Sequence, residues 1–154
     1  MAKHGWNSFA DYLSIHDKTI RFYHKFMASP KVYSVTTFTE LEKRLTCEGM
    51  IVQTYRGTRV RIDIRKGIEI DPANTKRPRA RTYNYTYSVN IPGGSKLIRY
   101  CSPHEDWEEE GAAPHHRHHH RHDFTKNPKG DVTLLGKDEW PHVGEFFEEV
   151  LGLF

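Results

Sequence analysis

The feature that most constrains the fold is the strict alternation of apolar and charged residues in "RVRIDI", residues 59–64. Val60, Ile62 and Ile64 share one parity, while two arginines and an aspartate share the other. Because successive side chains of a β-strand point to opposite faces, this pattern predicts a strand with one apolar and one charged face. Such a strand must bury its apolar face against a core.

A longer run with the same period lies at residues 80–91, "ARTYNYTYSVNI". Tyr83, Tyr85, Tyr87 and Val89 fall on one side of this predicted strand. The turn "PGGS" and the apolar run "KLIRYCS" follow directly, which indicates an antiparallel hairpin. Tyrosines on one strand face belong to a core more often than to a surface that stacks on bases.

Helical periodicity flanks this β-rich centre. The segment "TFTELEKRL" has a capping-box pattern in Thr37 and Glu40, and Pro141 suits the first turn of a final helix. We therefore predict an α+β fold, in a single domain over residues 1–154, with an antiparallel sheet packed against N-terminal helices and a C-terminal helix. The predicted strands are 50–55, 59–65, 80–91, 96–102 and 131–135, and the predicted helices are 6–26, 37–45 and 141–152.

Charge is unevenly distributed along the chain. Residues 54–81 contain nine basic residues against three acidic ones, although the net charge of the whole chain is only +3 with neutral histidines. A basic field of this kind favours a polyanionic partner such as nucleic acid. The simpler alternative is a solvated charged surface.

The two cysteines, Cys47 and Cys101, are far apart and follow no metal-ligand spacing. We expect buried or idle thiols in a reducing cytoplasm. No apolar run approaches the length of a membrane span, and the first residues lack the pattern of a secretory signal. The sequence therefore predicts a cytoplasmic protein without a membrane partner.

The most unusual segment is residues 115–122, "HHRHHHRH", with six histidines and two arginines. As a strand it would place alternate histidines on one face, whereas a helix would bring together pairs four residues apart. The β-rich context favours an extended segment. On one strand face would lie His116, His118, His120 and His122, which are also the expected ligands if a metal binds.

Three interpretations of this tract compete. Imidazoles bind Zn²⁺ or Ni²⁺ readily, but structural metal sites usually take ligands from separated parts of the chain. Histidine is also suited to proton transfer near neutral pH, and arginine to binding phosphate, so the tract could cleave RNA through its 2′-hydroxyl without a cofactor. The third interpretation is a low-complexity loop. From the residues alone, the catalytic and low-complexity interpretations are about equal.

The C-terminal half, residues 81–153, resembles the TumE-type toxins of prokaryotic toxin–antitoxin pairs. That family combines a Tyr-rich strand, a Gly turn, a strand ending in an "RYD-x-x-PHH"-like motif, a downstream histidine cluster and a final helix. Cys101 stands where the family tends to have aspartate. The matching residues are Arg99, Tyr100, Pro103, His104, His115, His116 and His118, and the histidines beyond the family pattern are His119, His120 and His122.

The resemblance implies a growth-inhibiting toxin with a nuclease role, an RNA substrate and a cognate antitoxin protein. A homodimer is left open. The alternatives are a non-enzymatic nucleic-acid-binding module and a metal-dependent nuclease that uses the histidines. The expected catalytic residues are His104, His116, His118 and Arg99, and the expected substrate-binding residues are Arg59, Arg61, Arg79, Arg81, Tyr85, Arg117 and Arg121.

Overall fold

The computed structural model describes residues 3–28, 33–73, 76–103 and 113–154. Within these ranges lie two α-helices, α1 (Phe9–Tyr23) and α2 (Val143–Leu151), and two short 3-10 helices, His24–Phe26 and Pro114–Arg117. The strands are β1 (Asn7–Ser8), β2 (Ser34–Thr39), β3 (Glu42–Gln53), β4 (Arg59–Asp71), β5 (Arg79–Asn90), β6 (Lys96–Cys101), β7 (His119–Asp123) and β8 (Asp131–Leu135).

All the strands join one antiparallel sheet. Strands β2 to β8 lie side by side in chain order, and the short β1 pairs with the start of β5. Each strand from β3 to β8 therefore pairs with the strand that precedes it in the chain, which makes the sheet a meander. The predicted α+β class is confirmed, with an antiparallel sheet and a C-terminal helix, and the structure has one α-helix on the N-terminal side.

The core lies between one face of the sheet and the two α-helices. On β4 the apolar residues Val60, Ile62 and Ile64 are buried, as their alternation predicts. Helix α2 contributes Phe146 and Phe147, both fully buried. The Phe147 ring stacks on that of Tyr23, the last residue of α1, with 4.6 Å between the ring centroids. Complete burial of such a side chain is worth about 1.5–3 kcal/mol, so these rings fix α2 on the sheet.

The predicted helix at 37–45 is wrong. This segment contains the end of β2, a turn at residues 40–41 and the start of β3. Val35 and three threonines make β2 rich in β-branched residues, which lose side-chain freedom in a helix and fit a pleated strand. Of the predicted helix face, Phe38 and Leu41 are exposed, and Leu45 joins the core from β3.

Other boundaries shift without changing the type of element. Helix α1 begins at Phe9, because the Ser8 hydroxyl accepts a hydrogen bond from the Asp11 amide at 3.1 Å and caps the helix. Helix α2 begins two residues after Pro141. Strand β3 starts eight residues before the predicted 50–55, while β8 matches its predicted bounds.

No helix in the described ranges is long and apolar enough to cross a bilayer.

Candidate functional site

The sheet face opposite α1 and α2, called here the distal face, has a polar centre. On β6, Tyr100 contacts Phe146 of α2, so Arg99 and Cys101 point to the distal face. Two rows of cross-strand neighbours run over this face from β4 to β7. The first row consists of Asp63, Ser88, Arg99 and His122, and the second of Arg65, Thr86, Cys101 and His120.

A groove of about 380 Å³ lies at the β4–β6 end of these rows. Its charged lining has four cations and two anions, a difference of +2, and its uncharged lining includes Thr86, Ser88 and Asn90. Guanidinium groups, hydroxyls and amides together are the usual ligands of phosphate oxygens. The charged residues are Arg61, Arg65, Lys96 and Arg99 on the positive side, and Glu48 and Asp63 on the negative side.

Ion pairs hold two of these cations in place. Arg61 lies 3.1 Å from Asp63, and Arg65 lies 2.6 Å from Glu48. Asp63 also accepts a hydrogen bond from the Gly49 amide at 2.7 Å. Gly49 lies in a bulge of β3 and has a φ of 71°, a conformation that favours glycine. The bulge thus helps to fix the acidic side of the groove.

Four imidazoles form a cluster, called here the distal histidine cluster, at the other end of the rows. His120 and His122 come from β7, and His115 and His116 come from the 3-10 helix before it. The His115 ring is central: its centroid lies 4.6 Å from that of His116, 4.8 Å from His120 and 5.3 Å from His122. The 3-10 helix therefore folds two histidines back over the strand that follows it.

Cys101 adds a thiol to this cluster. One ligand atom from each of Cys101, His120 and His122 lies within 4.8 Å of the other two. Burial raises the pKa of the Cys101 thiol, while the adjacent Arg99 guanidinium, which hydrogen-bonds to it, acts in the opposite direction. Burial also lowers the pKa of His115, and a charge on His116 would lower it further. The surroundings of His115 thus favour neutral imidazole.

The structure brings several predicted residues together. Arg61 and Arg99 line the groove, and His116 belongs to the cluster. The predicted extended conformation holds only from His119 to Asp123, and the preceding 3-10 helix is a departure from it. For this reason His116 and His118 do not share one strand face, and His118 is an exposed residue at the end of that helix.

Other predicted residues lie away from the groove. Arg79 and Arg81 pair with Asp71 and Glu69, and both guanidinium groups lie over the Trp6 ring. Arg59 and Arg117 are exposed, on β4 and in the 3-10 helix, and His104 lies outside the described residues.

Two more predicted substrate-binding residues face the helices. Tyr85 is buried, and its ring stacks on Trp140 at 4.1 Å between centroids, so it serves as core. Arg121 donates to Glu149 of α2 at 2.7 Å. Both placements follow from strand alternation, because the neighbours of these residues along the chain occupy the distal face.

Sequence reasoning did not assign Cys101, Lys96 or the hydroxyl residues of β5 to the site. The signal for Cys101 was available: it follows an inward tyrosine on a predicted strand and therefore has the same parity as Arg99. Its partner on the next strand, however, depends on a register across a connection of 17 residues, from 102 to 118. Local periodicity does not fix such a register.

A second polar site lies on the helix side of the sheet. Lys66 of β4 is buried, and its Nζ donates to His16 Nε2 at 2.9 Å, while His16 Nδ1 donates to the Tyr12 carbonyl at 2.7 Å. A cavity of about 60 Å³ adjoins this pair, lined in part by His4 and His142. We call these residues the inner histidine group: His4, His16 and His142 around Lys66.

Burial controls the charge of this inner group. It lowers the pKa of Lys66 from 10.5 to about 7, and it lowers the pKa of His16 from 6.5 to about 3, with a further decrease from the Lys66 charge. Burial likewise lowers the pKa of His4 to about 4, although its hydrogen bond to the Trp140 carbonyl acts in the opposite direction. Burial therefore keeps the imidazoles of His4 and His16 neutral and makes the Lys66 amine weakly basic.

Comparisons with protein-family models, curated proteins and solved structures found no match to this chain.

Proposed function

We propose that this chain is the toxin of a toxin–antitoxin pair and acts as an endoribonuclease on the distal face. The observation that carries the proposal is the cross-strand row in which Arg99 lies beside His122, with the +2 groove at one end and the histidine cluster at the other. A groove for phosphate oxygens thus adjoins groups that transfer protons near neutral pH.

The chemistry uses the nucleophile that RNA carries. A general base removes the proton of the 2′-hydroxyl, the oxygen attacks the adjacent phosphorus, and a general acid protonates the leaving 5′ oxygen. Arg99 stabilises the charge that develops on the phosphate oxygens. We assign the proton transfers to His116, His118 and His104, of which His116 is the member of the cluster and His104 lies outside the described residues.

The partner that fits this site is a cognate antitoxin whose acidic or apolar segment covers the distal face. Covering the groove would block phosphate entry, because the same cations would be neutralised and removed from solvent. The cytoplasm, where such a toxin meets cellular RNA, is the compartment we propose. The resemblance of the "LIRYCSPH" strand and the histidine tract to TumE-type toxins supports this part of the proposal.

The test is the chemistry of the cut ends. Purified protein is incubated with mixed-sequence RNA and with the same strand carrying 2′-O-methyl groups, with and without EDTA. We expect cleavage of the unmodified RNA alone, leaving 2′,3′-cyclic phosphate ends, because the 2′-hydroxyl is the nucleophile. Cleavage of the methylated strand, or ends without the cyclic phosphate, would instead indicate a metal-dependent nuclease with water as nucleophile.

A matched pair of arginine variants ties the activity to the groove. Arg99→Lys keeps the charge but loses the planar donor fork, so it should lower kcat/KM about ten- to a hundredfold, the cost of one charge-assisted hydrogen bond. Arg121→Lys is the control. Arg121 lies on the adjacent strand, opposite Tyr100, but its side chain points to the other face of the sheet and pairs with Glu149 of α2. Equal losses in both variants would show that the effect is structural.

The same groove supports a second candidate function, a nucleic-acid-binding module without chemistry. Four cations and three uncharged polar side chains suffice to hold a phosphate backbone. RNA binding that weakens steeply with salt, in the absence of any cleavage product, would favour this function over the nuclease.

A further inference from the structure

We propose that Cys101, His120 and His122 bind one Zn²⁺-like ion that links β6 to β7. The proposal concerns a metal site, and it does not depend on whether the chain cleaves RNA. It differs from the ligand set expected from the sequence, because it includes a cysteine from another strand and leaves out His116 and His118.

The backbone brings the three donors together. Cys101 and His120 are direct cross-strand partners, and His122 lies two residues further along β7 on the same face. Their ligand atoms all lie within 4.8 Å of one another. Ligand atoms around a tetrahedral ion lie roughly 3.3–3.8 Å apart, given Zn–S of about 2.3 Å and Zn–N of about 2.0 Å. Side-chain rotations that move the ligand atoms by roughly 1 Å would bring them to these distances.

The hydrogen bond that His120 makes through Nδ1 is the kind that orients a metal-binding histidine. Its Nδ1 lies 2.8 Å from the His118 carbonyl oxygen, which can only accept, so Nδ1 carries the proton. This hydrogen bond fixes the tautomer in which Nε2 has the lone pair for a metal. Ligating histidines almost always donate their other ring N–H in this way.

Two of the three donors are buried, and His122 is half-buried. Cys101 is 2% exposed and His120 is 0% exposed, whereas His118 lies exposed outside the strand. A thiolate and two imidazoles form the soft, mixed donor set that selects zinc-like ions over magnesium or calcium. Arg99 lies on the same strand face and hydrogen-bonds to the thiol, which places a cation beside the sulfur donor.

The ion would add to the function of the distal face. A divalent ion with one thiolate ligand contributes one net positive charge beside the groove, and three protein ligands leave one coordination position for water or a phosphate oxygen. The site also closes the long connection between β6 and β7, whose ends it joins. The inferred ion is thus both a link between the strands and part of the polar surface.

The experiment is Co²⁺ titration of the full chain after removal of metals with a chelator, followed by absorption spectroscopy without RNA. We expect a thiolate-to-cobalt charge-transfer band that saturates at one equivalent and disappears when Zn²⁺ is added. Cys101→Ser and His120→Ala should lose this band. Cys47→Ser is the matched control, because Cys47 is equally buried but lies on β3, and it should keep the band, as should His118→Ala.

Three results would overturn the proposal: no thiolate band in the wild-type protein, a band that persists in Cys101→Ser, or a band that is lost in Cys47→Ser. Since Cys101→Ser could fail to fold, circular dichroism accompanies each variant. X-ray absorption of the zinc-loaded wild type gives an independent measurement, with one sulfur expected at about 2.3 Å and nitrogens at about 2.0 Å. A first shell without sulfur would contradict the proposal even if no variant folds.

Discussion

The two groups of histidines, one on each side of the sheet, differ in how the chain assembles them. The inner histidine group gathers residues from positions 4, 16 and 142 around Lys66, whereas the distal histidine cluster comes from one segment, residues 115–122. The inner imidazoles are enclosed by aromatic rings and are held neutral by burial. The distal imidazoles face one another, a thiol and a cationic groove.

The comparison shows that a histidine's partners decide its role. On the inner side each histidine has a defined internal partner: the Tyr12 carbonyl for His16, the Trp140 carbonyl for His4, and the backbone at the start of α2 for His142. These contacts satisfy buried polar groups and leave little for a ligand. On the distal side the rings adjoin a groove lined by cationic and hydroxyl side chains, where we propose that the chemistry on a substrate occurs.

The largest expected effect contrasts one histidine from each side. We predict that His116→Ala lowers the rate of RNA cleavage by about 10²–10⁴-fold, the usual contribution of general acid–base catalysis. His142→Asn should leave that rate nearly unchanged, since asparagine also serves as an N-cap for α2. Single-turnover cleavage assays measure both. If His116→Ala cleaves as fast as His142→Asn, the distal cluster is not the catalytic site.

The next prediction concerns Lys66 and the pH dependence of stability. Between pH values of about 7 and 10.5 the unfolded chain carries a proton on Lys66 that the folded chain lacks. The free energy of unfolding therefore rises with pH in this window, by up to about 1.4 kcal/mol per unit, and the full cost of burial applies below it. Lys66→Met should be more stable near pH 7 and should lose this slope, because Met is apolar and packs well against the Tyr12, Tyr87 and Trp140 rings.

Urea unfolding of both proteins at several pH values across that window measures the difference. Taking the difference between variant and wild type cancels the titration of groups that the substitution leaves alone. Lys129→Met is the control, because Lys129 is exposed, and it should leave stability unchanged at every pH. If the gain in stability from Lys66→Met stays constant across the window, the folded protein does not lower the pKa of Lys66, and the prediction is wrong.

Much of the fold was predictable from local pattern. The alternation in β4 and β5 places Ile62 and Tyr87 inside, and the structure buries both completely. The segment at 37–45 misled because Leu41 and Leu45 have helical spacing, while pairing between β2 and β3 decides the conformation. Hydrogen bonds between strands depend on residues far apart in sequence, which no local window contains.

The candidate site was predictable only in part. Arg99 and the histidine tract are conspicuous in the sequence, and the structure brings His122 of the tract directly beside Arg99. Lys66 could have been placed inside, since it continues the parity of Ile62 and Ile64, but charge argues against burial and so concealed it. The inner histidine group has no local signal at all, because its members meet only through the packing of α1 and α2 on the sheet.

The smallest expected effect tests whether the groove cations contact phosphate. Each phosphate contact on single-stranded nucleic acid contributes about 0.7 to the slope of log affinity against log salt, through release of counterions. Arg61 lines the groove and forms an ion pair with Asp63. Its guanidinium is exposed, so it can contact a phosphate while it keeps this ion pair. Arg61→Gln should therefore reduce the slope by about 0.7.

Arg81→Gln provides the comparison for this last measurement. Arg81 is also a strand arginine paired with an acid, Glu69, but its guanidinium lies over Trp6, outside the groove. Because an exposed ion pair contributes only about 0–1 kcal/mol, its loss should barely affect stability or the salt slope. Fluorescence anisotropy of labelled RNA over a range of salt concentrations gives both slopes. Equal reductions in the two variants would mean that RNA binding depends on the overall charge of the chain. The groove would then not be the binding site, since a diffuse field requires no defined site.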